Sequence, residues 1–166
     1  MKNLLTLICV ATLTLTLSSC ANKKNKQYTG VDGDFINGTP LPDRADGSAF
    51  FGNNVAKGEY APVYFAFDSY EVSESEMGKI DKVASAQKDS SKTIIVAGFT
   101  DERGTEEYNR SLGERRAESV RQALIGKGLS ANHIQTVSFG KEMPADSGSG
   151  DAAWAKNRRV EFGVVK

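Results

Sequence analysis

The order of strand-type and helix-type segments constrains the fold of this chain more than any other feature of its sequence. Val63-Tyr64-Phe65-Ala66-Phe67 and residues 93–99 are compact runs of apolar, β-branched and aromatic residues, which predict strands. Each run is followed by a segment with helical apolar spacing, and two more short apolar runs cover residues 134–139 and 160–165. This order predicts an α/β (α+β) two-layer sandwich in which a mixed four-stranded sheet carries its helices on one face.

Sequence signals also place the ends of the two predicted helices. Ser73 followed by Glu76 is a capping-box pattern, and the first helix is predicted to run from there to about residue 88. The second helix is predicted to open at Thr105, with two glutamates in a first turn where the helix dipole favours carboxylates, and to end near residues 126–128. Each helix therefore lies between two strands, as a right-handed crossover requires.

The N-terminus has the pattern of an export signal. Residues 4–17 contain no charge, and this run of about 14 residues is shorter than the roughly 20 that a membrane-spanning helix needs. Leu17-Ser18-Ser19-Cys20 resembles a bacterial lipobox, which predicts a signal peptide over residues 1–19 and a lipid on Cys20; an ordinary secretory signal is the alternative. Cleavage also removes Cys9, which leaves Cys20 without a disulfide partner. Ala21, rather than an Asp that retains lipoproteins in the inner membrane, favours the outer membrane.

Composition divides the mature chain into a tether and a domain, and it excludes one class of ligand. Residues 20–61 are rich in Gly, Asn, Lys, Asp, Ser and Pro without lasting apolar periodicity, which predicts a lipidated, flexible tether before a folded domain over residues 62–166. The chain has 21 Lys and Arg against 21 Asp and Glu, and removing Lys2 with the signal leaves a net charge of about −1. Such a balanced surface offers no electrostatic footprint for nucleic acid.

One arginine of the second predicted helix lies on the face that the apolar residues occupy. At about 100° per residue, one row of side chains four positions apart consists of Leu112, Arg116, Val120 and Leu124. A buried guanidinium is costly unless it is paired and hydrogen-bonded, so an anion is expected near the start of this helix. Asp101 follows the second strand and is the best candidate, and Asp68 ends the first strand in the same manner. Loops at the carboxyl ends of strands are common ligand sites, which makes this cluster a candidate binding site.

The charges of this cluster suit a zwitterionic ligand. Arg116 can form a two-pronged bond with a carboxylate, Asp101 can accept from an ammonium, and backbone N–H groups near Asp68 can add to the anion site. A plain ion pair between Asp101 and Arg116, holding loop to helix, is the alternative. The residues by themselves leave both interpretations open.

Several motifs, in the same order along the chain, closely resemble those of the OmpA-like peptidoglycan-binding domain. The resemblance covers residues 62–166. The motifs are Gly98-Phe99-Thr100-Asp101-Glu102-Arg103-Gly104, Glu107-Tyr108-Asn109, Ser111-Leu112-Gly113-Glu114-Arg115-Arg116-Ala117, Ser138-Phe139-Gly140-Lys141-Glu142 with Pro144, and Lys156-Asn157-Arg158-Arg159-Val160.

The resemblance implies roles for individual residues. Asp101 and Arg116 would hold the diaminopimelate of the peptidoglycan stem peptide, and the pocket would be completed by Phe67, Asp68, Asn109 and Leu112. Supporting positions would be Thr100, Asn157, Arg158 and Arg159, with Asn157 and one of the two arginines bracing the site. Relatives usually have His or Asn where this chain has Phe99, so one wall of the pocket is expected to be apolar.

The implied function is that of a lipid-anchored protein on the periplasmic face of the outer membrane that grips peptidoglycan non-covalently. Similarity to lipoproteins of the Tol system implies TolB and other Tol proteins as partners, with roles in envelope integrity and cell division. The alternatives are an OmpA-like lipoprotein outside that system, a flagellar stator subunit of the MotB type, and a murein-processing enzyme. The enzyme is disfavoured because the only histidine, His133, has no neighbouring metal ligand of another type. We expect no catalytic residues, no metal and no cofactor.

Overall fold

The computed structural model describes residues 35–36, 39–40 and 47–166. The predicted signal peptide, the lipidation site Cys20 and most of the predicted tether lie outside these residues. Strands β1 (Phe35–Ile36) and β2 (Thr39–Pro40) pair with each other in an antiparallel two-stranded sheet. Within the described ranges, no helix has the length and apolar character needed to cross a membrane.

A second, five-stranded sheet forms the centre of the domain. Its strands are β3 (Val55–Lys57), β4 (Val63–Tyr64), β5 (Ile94–Phe99), β6 (Ile134–Gly140) and β7 (Arg159–Val165). The order is β3-β7-β5-β6, and β4 also pairs with β7. Strands β5 and β6 are parallel and all other pairs are antiparallel, which confirms the predicted mixed sheet. The predicted four strands are all present, and β3 is an additional one.

The two predicted helices are present, together with two shorter helices that the sequence did not predict. They are α1 (Gly47–Phe50), α2 (Glu74–Gln87), α3 (Glu106–Gly126) and α4 (Asp151–Asn157), with a 3₁₀ turn at Ala131–His133. Thr105 caps α3 by accepting from the backbone N–H of Tyr108. The predicted capping box at α2 is not formed, because the Ser73 side chain makes no capping bond and the Glu76 carboxylate instead accepts from the backbone N–H of Tyr64 at 2.6 Å.

Both faces of the sheet are buried. Helices α2 and α3 cover one face, as predicted, and their contact partners there include Ile94, Val96 and Phe162. Phe50 of α1 covers the opposite face together with Phe99 and Phe139. The period-2 alternation of β5 explains this division, because successive side chains of a strand point to opposite faces.

The folded domain begins before residue 62, so the prediction of a flexible tether up to residue 61 is wrong for residues 47–61. Phe50 is fully buried, and β3 pairs with β7 from Val55 opposite Val165 to Lys57 opposite Gly163. The apolar residues of this segment are few and separated, so no periodicity marks it in the sequence. Residues 47–61 are held in place by contacts with residues roughly one hundred positions later in the chain.

Two glycines set the distance between α3 and the sheet. A Cβ atom on Gly98 of β5 would lie 1.9 Å from the carbonyl oxygen of Gly113 on α3, and one on Gly113 would lie 2.3 Å from Oγ of Ser138. Only hydrogen fits at either position, so the helix lies unusually close to the strand. This approach brings the next turn of α3, which contains Arg116, to the carboxyl end of β5.

Candidate functional site

A cleft of about 220 Å³ opens where the carboxyl ends of β4 and β5 meet the first turns of α3. The loop after β4, the loop after β5 and helix α3 all contribute to it. Its walls are formed by Phe67, Asp68, Thr100, Asp101, Arg103, Gly104, Tyr108, Asn109, Leu112 and Arg116. All six residues that the sequence assigned to ligand binding therefore lie together, and the supporting residue Thr100 lies with them.

Arg116 is held by backbone carbonyls and not by a carboxylate. It has no exposed surface, and it donates from Nε to the carbonyl of Ser69 at 2.8 Å, from Nη1 to that of Phe99 at 2.9 Å and from Nη2 to that of Ala66 at 3.2 Å. A direct ion pair between Asp101 and Arg116, which the sequence left open as an alternative, is therefore not formed. Three carbonyls satisfy a buried guanidinium because its N–H groups form a rigid planar fork. Desolvation lowers the pKa of Arg116 to about 10, although the charge of Asp101 opposes the shift.

Asp101 pairs with two other arginines. Its Oδ2 accepts from Nη2 of Arg103 at 2.7 Å and from Nη1 of Arg158 at 3.4 Å, and its Oδ1 accepts from Nε of Arg103 at 3.1 Å. The residue as a whole is only 4% exposed. Burial by itself would raise the pKa of this carboxyl, but the hydrogen bonds from Arg103 and Arg158 outweigh burial and hold the pKa below its ordinary value. Asp101 therefore stays ionised in mildly acidic solution.

Arg103 and Tyr108 line the cleft but were not assigned to it from the sequence. The guanidinium of Arg103 lies between two aromatic rings, 3.9 Å from the ring centre of Phe67 and 4.0 Å from that of Trp154. Tyr108 donates its hydroxyl hydrogen bond to Asp68, which raises the pKa of the phenol. Both residues belong to the quoted motifs, and the helical position of Tyr108, one turn before Leu112, is the signal that places it at the cleft.

Asn109 organises the loop that carries Asp101. It is buried, and its Nδ2 donates to the carbonyls of Arg103 at 2.8 Å and Thr105 at 2.9 Å. These bonds fix the turn between β5 and α3. Asp68, on the opposite wall, has a positive φ of 54°, a conformation that Asp tolerates better than most residues. Both loops are thus held by interactions within the protein.

The three supporting residues predicted between the end of α4 and the start of β7 differ in their distance from the site. Arg158 touches it directly, because it bonds Asp101 and donates from Nε to the carbonyl of Phe65 at 3.0 Å. Asn157 is one step further away and holds Asp146 by two bonds, accepting from its N–H at 2.9 Å and donating to its carbonyl at 2.8 Å. Arg159 does not reach the cleft and instead bonds Glu161 at 2.6 Å.

Phe99 does not form an apolar wall of the cleft, which corrects the expectation from the sequence. Its ring stacks on Phe139, with centroids 5.3 Å apart, and the guanidinium of Arg159 lies 3.9 Å from its centre. These partners lie on the face of the sheet opposite α3. Phe99 contributes to the site only through its carbonyl oxygen, which accepts from Arg116. The presence of Phe99, where relatives usually have His or Asn, therefore does not place an apolar side chain in the lining of the cleft.

The described residues contain no group of three or more His, Cys, Asp or Glu side chains arranged to hold a metal ion. The cleft instead presents buried, oppositely charged groups side by side, with an aromatic ring on its outer wall. Phe67 is 61% exposed and Tyr108 is also exposed. Such an arrangement can hold a ligand that carries both a cation and an anion, with apolar contacts around them.

Comparison with known proteins gives the family. The model of the OmpA family matches residues 64–158, more than half of the chain and all of the cleft. The chain belongs to the OmpA family. A peptidoglycan-associated lipoprotein of Pasteurella multocida is 36% identical over 163 residues, which are 96% of this chain and 97% of that protein. One from Pseudomonas aeruginosa is 44% identical over 99 residues, 60% of this chain and 59% of that protein, so the match spans less than two thirds of that relative.

Solved structures of the OmpA family have the same fold. The crystal structure of the peptidoglycan-associated lipoprotein from Burkholderia pseudomallei superposes with a TM-score of 0.61 at 42% sequence identity, covering 62% of this chain and 88% of that one. This match confirms the predicted mixed α/β fold. The names of these relatives describe lipoproteins that associate with peptidoglycan.

Proposed function

We propose that this chain is a lipid-anchored outer-membrane protein whose cleft binds peptidoglycan non-covalently through the diaminopimelate of the stem peptide. The observation that carries the proposal is the juxtaposition, in one cleft, of the Asp101 carboxylate and the Arg116 guanidinium. The names of the relatives support the peptidoglycan ligand. Diaminopimelate is a suitable residue because the end of its side chain carries both an ammonium and a carboxylate.

The positive charge beneath the cleft favours the ligand carboxylate. Among the described residues, no carboxylate forms an ion pair with Arg116; its N–H groups bond carbonyls, and Asp101 and Asp68 act on it only through space. A carboxylate entering the cleft therefore meets a cation without a directly bonded counterion in a poorly solvated place, where the attraction is stronger than in water. The backbone around Asp68 forms the facing wall.

The ligand ammonium has a different partner. Asp101 is ionised and lies on the wall of the cleft, although it is already paired with Arg103. The Arg103 side chain is one third exposed, at 33%, whereas that of Asp101 is 6% exposed. An ammonium can therefore share the Asp101 carboxylate with Arg103 or replace Arg103, which can turn towards solvent. The rings of Phe67 and Trp154, between which the Arg103 guanidinium lies, keep that guanidinium near the cleft.

The anchoring part of the proposal rests on the N-terminal sequence. The lipobox pattern ends at Cys20, and residues 21–46 separate that cysteine from the first residue of α1. A segment of this length spans at most roughly 90 Å when fully extended. The lipid then stays in the outer membrane while the domain reaches the wall. We assign the chain to the Tol system, with TolB as a partner; an OmpA-like lipoprotein outside that system is the second candidate.

A sacculus pull-down tests the ligand. The mature chain should sediment with purified peptidoglycan, and Asp101→Asn should lose most of this binding because the ammonium has no anion to pair with. Asp81→Asn is the matched control, since Asp81 forms a surface ion pair with Lys127 on the helical side of the domain. Binding of Asp101→Asn at the level of the control would refute the proposed site.

Two further measurements test the anchor and the partner. Cys20→Ser should move the protein from the outer-membrane fraction to the soluble periplasmic fraction, and retention in the membrane would contradict the lipid anchor. TolB should co-purify with the wild-type protein from detergent extracts. If TolB is absent while sacculus binding persists, the second candidate replaces the Tol assignment.

A further inference from the structure

The cleft contains one buried polar atom that the folded protein leaves without a hydrogen-bond partner. Thr100 is 3% exposed, and within the described part of the chain its Oγ1 has no partner. Thr100 nevertheless lines the cleft. Buried hydroxyls are nearly always hydrogen-bonded, so an exception at a binding site requires an explanation.

Other buried hydroxyls of the same sheet are satisfied. Oγ1 of Thr136 donates to Glu114 at 3.1 Å. Oγ of Ser138 donates to the carbonyl of Arg110 at 2.7 Å and accepts from the backbone N–H of Gly140 at 3.2 Å. The fold therefore supplies partners for hydroxyls at neighbouring positions, and the unpaired state of Thr100 is a local property of the cleft.

Strand geometry directs the Thr100 side chain into the cleft. The N–H of Thr100 donates to the carbonyl of Gly140 at 2.8 Å, which continues the pairing of β5 with β6 by one residue. Phe99 points to the face that Phe50 covers, so the alternation of an extended chain sends the next side chain to the α3 face. Thr100 lies there between Phe99, whose carbonyl accepts from Arg116, and Asp101.

The cleft has few hydrogen-bond donors left for an anion. Three of the five N–H groups of Arg116 are bonded to carbonyls, and the side chain has no exposed surface. Arg116 thus supplies mainly positive charge. A ligand carboxylate drawn by this charge still needs a donor on the wall of the cleft, and the buried Thr100 hydroxyl can rotate to provide one.

We propose that the Thr100 hydroxyl donates a hydrogen bond to the ligand carboxylate that Arg116 attracts, and so determines the preference for a stem residue with a second carboxylate. This inference rests on the proposed function of the cleft. Within the described part of the protein the hydroxyl has no hydrogen-bond partner, and in the complex it is paired. Thr100 is therefore a specificity-determining residue, and only the ligand offsets the free-energy cost of burying its hydroxyl without a partner.

Thr100→Val tests this role, because valine keeps the shape of threonine and removes the hydroxyl. Affinity is measured by calorimetry for two synthetic stem tripeptides, one with diaminopimelate and one with lysine, which lacks the second carboxylate. We expect Thr100→Val to bind the diaminopimelate peptide about 10-fold more weakly, as for the loss of one hydrogen bond to a charged group, with little change for the lysine peptide. Thr100→Ser should bind both peptides like the wild type.

Thermal unfolding distinguishes this role from a purely structural one, because the two roles predict opposite changes in the Tm of Thr100→Val. Removing an unsatisfied hydroxyl should leave the Tm of Thr100→Val equal to or above that of the wild type. The matched control is Thr136→Val, which leaves Glu114 without its partner and should lower the Tm while leaving both affinities unchanged.

Three results would overturn the inference. They are an unchanged affinity of Thr100→Val for the diaminopimelate peptide, an equal loss for both peptides, and a fall in Tm like that of Thr136→Val. The failure of the wider proposal looks different. In that case the wild-type protein itself binds neither peptide, and both proposals fall together.

Discussion

Asp101 and Arg103 form a two-pronged ion pair within a single loop, with Nη2 of Arg103 2.7 Å from Oδ2 of Asp101 and Nε 3.1 Å from Oδ1. The backbone N–H of Arg103 also donates to Oδ1, at 3.2 Å. The loop therefore carries its own counterion for the carboxylate. A ligand ammonium does not fill an empty anion site but joins or replaces a cation that is already present.

This pair makes the stability of the domain depend on pH in the acid range. The pKa of Asp101 is lower in the folded protein than its ordinary value of 3.8, so the ionised form favours folding. Its contribution is complete above the ordinary value and is lost as the pH falls through the lower, folded value. We expect the stability difference between wild type and Asp101→Asn to be constant near neutral pH and to shrink below about pH 4, as measured by urea unfolding. A difference that persists unchanged at pH 2.5 would contradict this prediction.

Arg116 is predicted to matter for folding as much as for binding. Arg116→Met leaves the carbonyls of Ala66, Ser69 and Phe99 without their donor, which should cost roughly 2–5 kcal/mol in the free energy of unfolding. Arg115→Met is the matched control, because Arg115 is exposed and its guanidinium lies 5.7 Å from the ring centre of Tyr70. It should change the stability by less than about 0.5 kcal/mol. Equal urea midpoints for the two variants would show that the carbonyl bonds contribute little.

The contact between Gly98 and Gly113 is predicted to be intolerant of a single methyl group. Gly98→Ala places Cβ 1.9 Å from a backbone oxygen, so α3 must move away from β5 and draw Arg116 from the Phe99 carbonyl. Both the Tm and sacculus binding should fall. Gly78→Ala, at an exposed position of α2 with no atom within 4 Å of the new Cβ, should be neutral or stabilise by up to about 1 kcal/mol. A Gly98→Ala protein with normal binding would show that the position of α3 is not critical.

The segment before residue 62 is predicted to be part of the stable domain. Phe50 is fully buried, and its ring centre lies 6.5 Å from that of Phe99 and 5.9 Å from that of Phe139. Phe50→Ala should cost about 3–5 kcal/mol, as for other buried phenylalanines. Phe51→Ala is the control, since Phe51 is 44% exposed. A protein that begins at residue 62 should unfold at lower urea concentration than one that begins at residue 47, and equal midpoints would contradict this role.

The clustering of these residues at one edge of the sheet could be predicted from the sequence because the determining signals are local. Arg116 interrupts an apolar row that extends over three turns of α3, and Asp101 and Asp68 each end an apolar run, so topology alone brings them together. The partners of Arg116 could not be predicted in this way. Every residue has a carbonyl, and which ones meet the guanidinium depends on loops separated by thirty residues or more.

Two other errors have different physical causes. Successive side chains of β5 alternate between the two faces of the sheet, and this alternation determines which face Phe99 points to. Both faces of the strand are buried, so its residues are all apolar or small and the sequence does not show which of them share a face. Strand β3 had no such signal. It has three residues, and its pairing with β7 joins positions 55–57 to 163–165, a separation over which local sequence carries no information.

If the chain is held between a membrane and a wall as proposed, the pairing of β3 with β7 has a mechanical consequence. Tension that enters from the lipid side reaches α1 and β3 first, and β3 is joined to the last residues of the chain, where the N–H of Lys166 donates to the carbonyl of Asn54 at 2.8 Å. In that case the contacts of α1 and β3 with the Phe99 face of the sheet and with β7 have to break before force acts on β5 and the cleft loops.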